Sequence, residues 1–359
     1  MSAIQTPQQV EAQVNALNER LAVFNKFLDD ASVQEIAVNH PGCVHLWKRG
    51  VWHQESVPEL TSRVLETIGC NLANYVSKSF DRENTSLSAY LPSGERIEMT
   101  HPPTSPENLY YLNIRKHASR PFSHRQLIEQ GYYMNVRHEF SLTLTSERRK
   151  CLAQYLNPSE KLLWELATAG NWAEFMEQSV GLHQNIITSG KTGSGKTSYM
   201  RSLMELIDPA ERILTVEDSP EMPLPNHPNS NSLYYRKNGA GEGASAKEVL
   251  QAVMRKTGDR IILAEMRSDE AMYYLTGVLN SGHPGGLTSV HANSPRDAID
   301  RIVLLIKCSV EGQGIDIGTI KNLLHSTVNV VAQVVFNAEH GRHVTGIYYD
   351  PMYRLSLLD

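Results

Sequence analysis

The chain has 359 residues, of which 41% are hydrophobic and 20% are charged, so it can bury two ordinary domain cores and is not intrinsically disordered. Its 39 acidic and 34 basic residues leave a net charge of −5, which argues against a constitutive nucleic-acid binder. The N-terminus has no signal-peptide pattern, and no run of about 18 apolar residues predicts a transmembrane segment. Cys43, Cys70, Cys151 and Cys308 form no CxxC pair, which predicts free thiols in a cytosolic protein.

Residues 1–137 predict an α+β N-terminal domain. Apolar residues at steps of three and four predict an amphipathic helix over 8–29. We favour a helix packed on its own domain, because its mixed polar face is not the Lys/Arg-rich face of a lipid-binding helix; docking onto a partner is the alternative. The further predicted elements are a hairpin around Pro41-Gly42, a helix over 59–79, short strands on either side of Pro92-Ser93-Gly94, and a strand over 110–116.

Residues 138–157 show weak periodicity and are predicted to form the interdomain linker. Asn157-Pro158-Ser159 is a helix-start signal, so the C-terminal domain is expected to span 158–359. Strands and helices alternate in this domain, which predicts an α/β fold with a mostly parallel sheet and helices on both faces. The predicted strands cover 183–190, 212–218, 260–266, 287–292 and 328–336.

Residues 190–197 read GKTGSGKT and fit the pattern G-x-x-x-x-G-K-[ST] at every fixed position. In such a loop, backbone N–H groups surround phosphate oxygens and the next helix presents its positive end to them. Lys196 is predicted to reach the β- and γ-phosphates, and the Thr197 hydroxyl to bind Mg²⁺. The predicted nucleotide-binding residues are Gly190, Lys191, Thr192, Gly193, Ser194, Gly195, Lys196, Thr197 and Ser198.

Polar residues end three further predicted strands. Glu217 ends one strand and is followed by Glu221, Glu265 ends the next, and His291 ends the third. Ligands of open α/β sheets bind at the carboxyl ends of the strands, and phosphoryl transfer needs a carboxylate near Mg²⁺ and a group that orients water. These residues are therefore predicted to act at the nucleotide, whereas a role for His283 in the preceding turn is left open.

With the phosphate loop, the runs TVEDSPE, RIILAEMRSDEA and SGHPGGLTSVHANSP resemble the four nucleotide motifs of the secretion-ATPase superfamily. The HANSP run and the GKTGSGKT loop are most similar to the traffic ATPases of type IV secretion systems. Upstream, LPSGERIEMTHPP and LNIRK resemble patches of that family's N-terminal domain, so the resemblance covers about residues 30–340 in order. Pilus retraction and type II secretion ATPases are less similar, because the former usually lack HANSP and the latter commonly carry a cysteine-rich zinc module.

The resemblance implies a hexameric ATP hydrolase with a RecA-like C-terminal domain and ATP held with Mg²⁺ between the two domains. It implies catalytic roles for Lys196, Glu217, Glu265, His291 and Arg115. It implies Mg²⁺ contacts for Thr197, Glu217, Glu221 and Glu265. Arg115 would reach the phosphates from the N-terminal domain, and Arg120 is a weaker candidate for the same clamp. Which of the two acids, Glu217 or Glu265, is the main base is left open.

The resemblance also implies a motor that powers assembly of, or substrate transfer through, a bacterial type IV secretion or conjugation apparatus. Such a motor would be cytoplasmic and held at the inner membrane by membrane components of the apparatus. A RecA-like nucleic-acid motor is the alternative, and Tyr234, Tyr235, Arg236 and Lys237 form its one candidate patch. We interpret the surrounding run 219–246 as a mobile loop and do not predict nucleic-acid contact. A non-catalytic nucleotide-gated scaffold is disfavoured by the full set of catalytic residues, and the transported substrate (DNA, effector or pilin) stays open.

Overall fold

The computed structural model describes residues 6–48, 50–116, 122–236, 243–337 and 339–357. The chain divides into two compact units, Met1–Arg120 and Pro121–Asp359. No described helix is both long enough and apolar enough to cross a membrane.

The N-terminal unit is an α+β fold, as predicted. Its helices are α1 (Pro7–Leu21), α2 (Asn25–Leu28) and α3 (Ser62–Tyr75), and a 3₁₀ turn over Ala22–Phe24 joins the first two. Its strands are β1 (Val33–His40), β2 (Cys43–Lys48), β3 (Val51–Ser56), β4 (Ser86–Tyr90), β5 (Arg96–Thr100) and β6 (Tyr111–Arg115). They form one antiparallel sheet in the order β3-β2-β1-β6-β5-β4.

The predicted amphipathic helix packs on its own unit. Thr6 caps it, because the Thr6 side chain accepts a hydrogen bond from the backbone N–H of Gln9. The C-terminal half of its apolar face, including Leu17 and Leu21, is buried in one core with α3 and the inner face of the sheet, whereas Val10 is exposed. Packing on its own unit therefore accounts for this half of the helix.

The C-terminal unit is built around a mixed, mostly parallel sheet, as predicted. Its strands are β7 (Arg137–Glu139), β8 (Ile186–Ser189), β9 (Ile213–Glu217), β10 (Ser230–Tyr234), β11 (Arg260–Leu263), β12 (Leu287–Val290), β13 (Val330–Asn337) and β14 (Gly341–Tyr348). The strand order is β10-β9-β11-β12-β8-β13-β14-β7, and among the described strands of this sheet only the β13–β14 pairing is antiparallel.

Helices cover both faces of this sheet. They are α4 (His124–Glu129), α5 (Ser146–Ala153), α6 (Pro158–Ala169), α7 (Trp172–Gly181), α8 (Lys196–Met204), α9 (Ala246–Val253), α10 (Glu270–Tyr273), α11 (Pro295–Cys308), α12 (Ile317–Thr327) and α13 (Pro351–Ser356). A π-helical turn over Tyr274–Leu279 extends α10. One core packs α9, α11 and α12 on the sheet, and a second packs α6, α7 and α8 on it. The central strands β8, β9, β11 and β12 are buried along their whole length, as expected for a covered parallel sheet.

The domain boundary differs from the prediction. The units divide at residue 120, and the expected linker over 138–157 belongs to the C-terminal unit. Strand β7 pairs with β14. Arg149 on α5 makes a bidentate ion pair with the buried Asp350, with both N–O distances 2.8 Å. The sequence did not predict that β7 and α5 pack on the C-terminal unit, because a three-residue strand and a largely exposed short helix have almost no apolar periodicity.

The run 219–246, interpreted as a mobile loop, also differs from the prediction. It contains β10, which pairs in parallel with β9 at the edge of the sheet. Its residues SNSLY are mostly polar and partly exposed, so they lack the apolar pattern that predicts a buried strand.

Candidate active site

The phosphate loop connects the buried strand β8 to helix α8, as the sequence predicted. Gly190 is required by a close approach, because a Cβ there would lie 2.3 Å from the backbone oxygen of Val334. Gly195 has a φ of +99°, a left-handed conformation that L side chains rarely adopt, and it precedes the first residue of α8. The backbone thus turns tightly into the helix, whose N-terminal N–H groups face the loop.

Lys196 begins α8 and is only 7% exposed. Its ammonium donates a hydrogen bond to the backbone oxygen of Lys191 in the same loop, at 3.2 Å, and lies 3.1 Å from Nδ1 of His291. Its charge is therefore directed back over the loop. Thr197 follows in the first turn of α8 and is partly exposed, whereas residues 191–193 of the loop are exposed.

A continuous polar network joins Lys196 to the ends of neighbouring strands. His291 follows β12, and its Nε2 lies 2.9 Å from Oε1 of Glu265, which follows β11. The other oxygen of Glu265 accepts a hydrogen bond from Arg267 at 2.7 Å, and Arg267 donates at 2.7 Å to Asp218 beyond β9. Since β9, β11, β12 and β8 are adjacent in the sheet, the fold brings these four strand ends into one site.

The surroundings of His291 lower its pKa. Burial lowers its pKa, and the nearby charge of Lys196 lowers it further, whereas Glu265 opposes the shift. Because an ammonium can only donate, Nδ1 accepts from Lys196, and the neutral ring then carries its proton on Nε2 towards Glu265. The ring therefore couples the loop lysine to the carboxylate.

Glu217 is placed differently from Glu265. Its side chain is buried within β9, with both oxygens occupied by local donors. One oxygen accepts from the Thr215 hydroxyl at 2.6 Å, and the other accepts from the backbone N–H groups of Glu221 and Met222 at 2.9 and 2.8 Å. Burial raises the pKa of Glu217, and these hydrogen bonds oppose the rise. Glu217 thus fixes the turn after β9, and the side chain of Glu221 lies on that turn, accepting from Ser219.

The remaining predicted residues lie elsewhere or outside the described residues. Arg115 ends β6 in the N-terminal unit, is exposed, and lies opposite Glu35 and Arg96 in the sheet. Arg120 lies outside the described residues. Nδ1 of His283 donates a hydrogen bond to the backbone oxygen of Gly258 at 2.9 Å, just before β11, which places His283 at the opposite end of that strand from Glu265.

Two arginines of this site carry no role in the sequence-based prediction. Arg267 bridges two carboxylates, and these ion pairs outweigh its burial and raise its pKa above the ordinary range. Arg342 on β14 reaches the loop, where its Nη2 lies 3.5 Å from the backbone oxygen of Gly193. Arg267 could have been found by its spacing of two from Glu265. Arg342 could not, because the sequence pattern predicted no strand there.

The candidate nucleic-acid patch is not assembled as one surface. Tyr234 is exposed, but Tyr235 is buried in the core of the C-terminal unit, and its backbone N–H donates to the backbone oxygen of Glu217. Lys237 lies outside the described residues.

This chain is similar to known proteins in sequence and in fold. The family model described as "Type II/IV secretion system protein" matches residues 158–342, which contain the phosphate loop and the whole polar network. The type IV secretion system protein VirB11 of Brucella suis is 33% identical over 342 residues, covering 94% of this chain and 91% of the relative. VirB11 of Bartonella henselae is 35% identical over 335 residues, covering 92% of each chain. The crystal structure of the VirB11 ATPase from the Brucella suis type IV secretion system, in complex with sulphate, matches with a TM-score of 0.53 at 31% identity, covering 98% of this chain and 99% of that one.

Proposed function

We propose that this chain, which belongs to the VirB11 family of type IV secretion ATPases, works as a homohexameric motor that couples Mg²⁺-dependent ATP hydrolysis to a type IV secretion apparatus. That it is a nucleotide-using ATP hydrolase follows from its family. The hexamer, the ion, the coupling and the residue roles are our proposal.

One observation carries the residue roles: the unbroken contact path from Lys196 through His291, Glu265 and Arg267 to Asp218. This path places the Lys196 ammonium at the phosphate loop, and the His291 imidazole lies between this cation and the Glu265 carboxylate. Phosphoryl transfer depends on positioning and charge stabilisation, and both groups supply these.

The residues fit a nucleotide with Mg²⁺. The oxygen donors at the loop and at the end of β11 are the Thr197 hydroxyl and the Glu265 carboxylate, and such hard oxygen ligands are those that Mg²⁺ prefers. Glu221 is the further candidate on the turn after β9. When bound, Mg²⁺ would neutralise charge on the β- and γ-phosphate oxygens.

We assign the base to Glu265. Its carboxylate would accept a proton from the water that attacks the γ-phosphorus, while the bond from that phosphorus to the β–γ bridging oxygen breaks. Lys196 would stabilise the charge on the phosphate oxygens, and His291 would hold Glu265 and sense the γ-phosphate. Glu217 is a positioning residue, because three hydrogen bonds already occupy its oxygens.

Arg115 is proposed to stabilise the same developing charge from the N-terminal unit, with Arg120 as the weaker candidate. An exposed guanidinium at a strand end is free to meet an anion, and an arginine that arrives during the reaction is an effective charge stabiliser.

The chain would dock on inner-membrane components of the apparatus from the cytoplasmic side, which agrees with relatives named as type IV secretion system proteins.

Native mass and ATP turnover, measured on the same sample, test this proposal. We expect a mass six times the 40.2 kDa of the chain, with turnover that EDTA abolishes. Arg115→Ala should keep the mass and lose at least tenfold in turnover, whereas the matched exposed-arginine variant Arg63→Ala should resemble the wild type. A monomer whose turnover is independent of protein concentration would contradict the hexamer. Equal turnover in the two arginine variants would contradict the role of Arg115.

A further inference from the structure

The hairpin formed by β1 and β2 brings two histidines to a cysteine. His40 ends β1, Cys43 begins β2, and His45 is two residues further on. One nitrogen from each imidazole and the Cys43 sulfur all lie within 4.8 Å of one another. Cys43 Sγ is 3.8 Å from Nε2 of His45, and the two imidazole centroids are 6.0 Å apart. We call this group the His40–Cys43–His45 cluster.

The backbone holds the cluster in place independently of any ligand. His40 and Cys43 are directly opposed in the antiparallel register, and Cys43 and His45 share a sheet face because they are two residues apart. The turn between them is anchored, because the N–H of Gly42 donates to the oxygen of Leu60 and the N–H of Val57 donates to the oxygen of Gly42. The donor atoms are thus largely preorganised.

The burial of the three side chains suits an ion that enters from solvent. Cys43 is 6% exposed, His45 is partly buried, and His40 is exposed. A buried thiol beside an accessible imidazole leaves one direction open to water. No further carboxylate, histidine or cysteine of the described residues joins the cluster.

We propose that the cluster binds a thiophilic divalent metal ion of the Zn²⁺ class, with the Cys43 thiolate and the His40 and His45 imidazoles as ligands and water in the fourth position. Zn–S near 2.3 Å and Zn–N near 2.0–2.1 Å put tetrahedral sulfur and nitrogen donors about 3.6 Å apart. The observed 3.8 Å between Cys43 Sγ and His45 Nε2 is within a few tenths of that. Binding releases the thiol proton of Cys43.

The cluster selects against the Mg²⁺ that accompanies a nucleotide, because it offers sulfur and nitrogen donors and no carboxylate. The ion would fasten β1 to β2 in the N-terminal unit. The site and its test do not depend on ATP hydrolysis.

Cobalt titration of the full-length, untagged, reduced protein tests the site. A thiolate bound to Co²⁺ gives a near-ultraviolet charge-transfer absorption, and residues 186–204 around the phosphate loop contain no cysteine that could give it there. We expect the absorption to saturate at one Co²⁺ per chain and to disappear when Zn²⁺ is added. Cys43→Ser should abolish it. The control Cys70→Ser, which changes an exposed thiol on α3, should keep it.

His40→Ala covers the case in which Cys43→Ser does not fold. His40 is exposed, so its truncation leaves the core intact, and it should weaken Co²⁺ binding at least tenfold while the thiol remains. Two results would overturn the proposal: a wild type without charge-transfer absorption in excess Co²⁺, or an undiminished absorption in Cys43→Ser or in His40→Ala.

Discussion

Exchange of the two candidate bases for glutamine separates their roles. Glu265→Gln removes the carboxylate that contacts His291 and Arg267. Loss of a general base typically costs about 10²–10⁴ in rate, or roughly 3–5 kcal/mol in activation free energy. We therefore expect the turnover of Glu265→Gln to fall by that factor while nucleotide still binds.

Glu217→Gln should be much milder. The glutamine carbonyl can accept from the N–H groups of Glu221 and Met222, and its amide can donate to the Thr215 hydroxyl, which then rotates to accept. All three hydrogen bonds survive in neutral form, so we expect less than about a tenfold loss, equivalent to 1.4 kcal/mol. Glu217→Ala, by contrast, leaves two backbone N–H groups without their acceptor and should destabilise folding by roughly 2–6 kcal/mol, at about 1–3 kcal/mol for each.

The assay is steady-state phosphate release at saturating ATP, with binding of a non-hydrolysable ATP analogue measured on each variant. Urea unfolding of Glu217→Ala and Glu217→Gln supplies the stability comparison. Glu265 would not be the base if Glu217→Gln lost 10² or more in turnover with normal stability while Glu265→Gln stayed within tenfold of the wild type.

The other predictions concern the charges around the site. Arg267→Ala leaves two strand-end carboxylates without their shared cation, so turnover should fall at least tenfold. Arg149→Ala removes the ion-pair partner of the fully buried Asp350 carboxylate, so the free energy of unfolding, measured with urea, should fall by about 3–5 kcal/mol. An unchanged free energy of unfolding would instead favour the interpretation of 138–157 as a linker. Burial lowers the pKa of His291, so its imidazole gains a proton only below the ordinary histidine pKa of 6.5. We therefore expect turnover to decline below pH 6.5. A pH–rate profile that declines only above pH 7 would contradict this prediction.

The buried parallel strands and the phosphate loop could be predicted because short-range patterns specify them. The loop needs glycine where the backbone approaches Val334 or adopts a positive φ, and these glycines lie within one short segment of the sequence. The strand-end acids could be placed in one site because parallel strands carry their carboxyl ends to the same edge.

What could not be predicted depends on contacts between distant segments. The polar edge strand β10 and the returning strand β14 lack a distinctive apolar alternation, so the sequence predicted neither. The different roles of Glu217 and Glu265 follow from hydrogen bonds, which two strand-end acids in a sequence do not reveal. The His40–Cys43–His45 cluster depends on hairpin register, and a search for paired cysteines overlooks it.

The turnover of Lys196→Ala at saturating ATP tests most directly whether ATP is hydrolysed at the phosphate loop of the C-terminal unit. It is measured beside the wild type and Lys321→Ala, a variant of a surface lysine on α12 that pairs with Asp300. We expect Lys196→Ala to lose at least 10² in turnover and Lys321→Ala to retain the wild-type turnover. Undiminished hydrolysis by Lys196→Ala would show that the reaction takes place elsewhere.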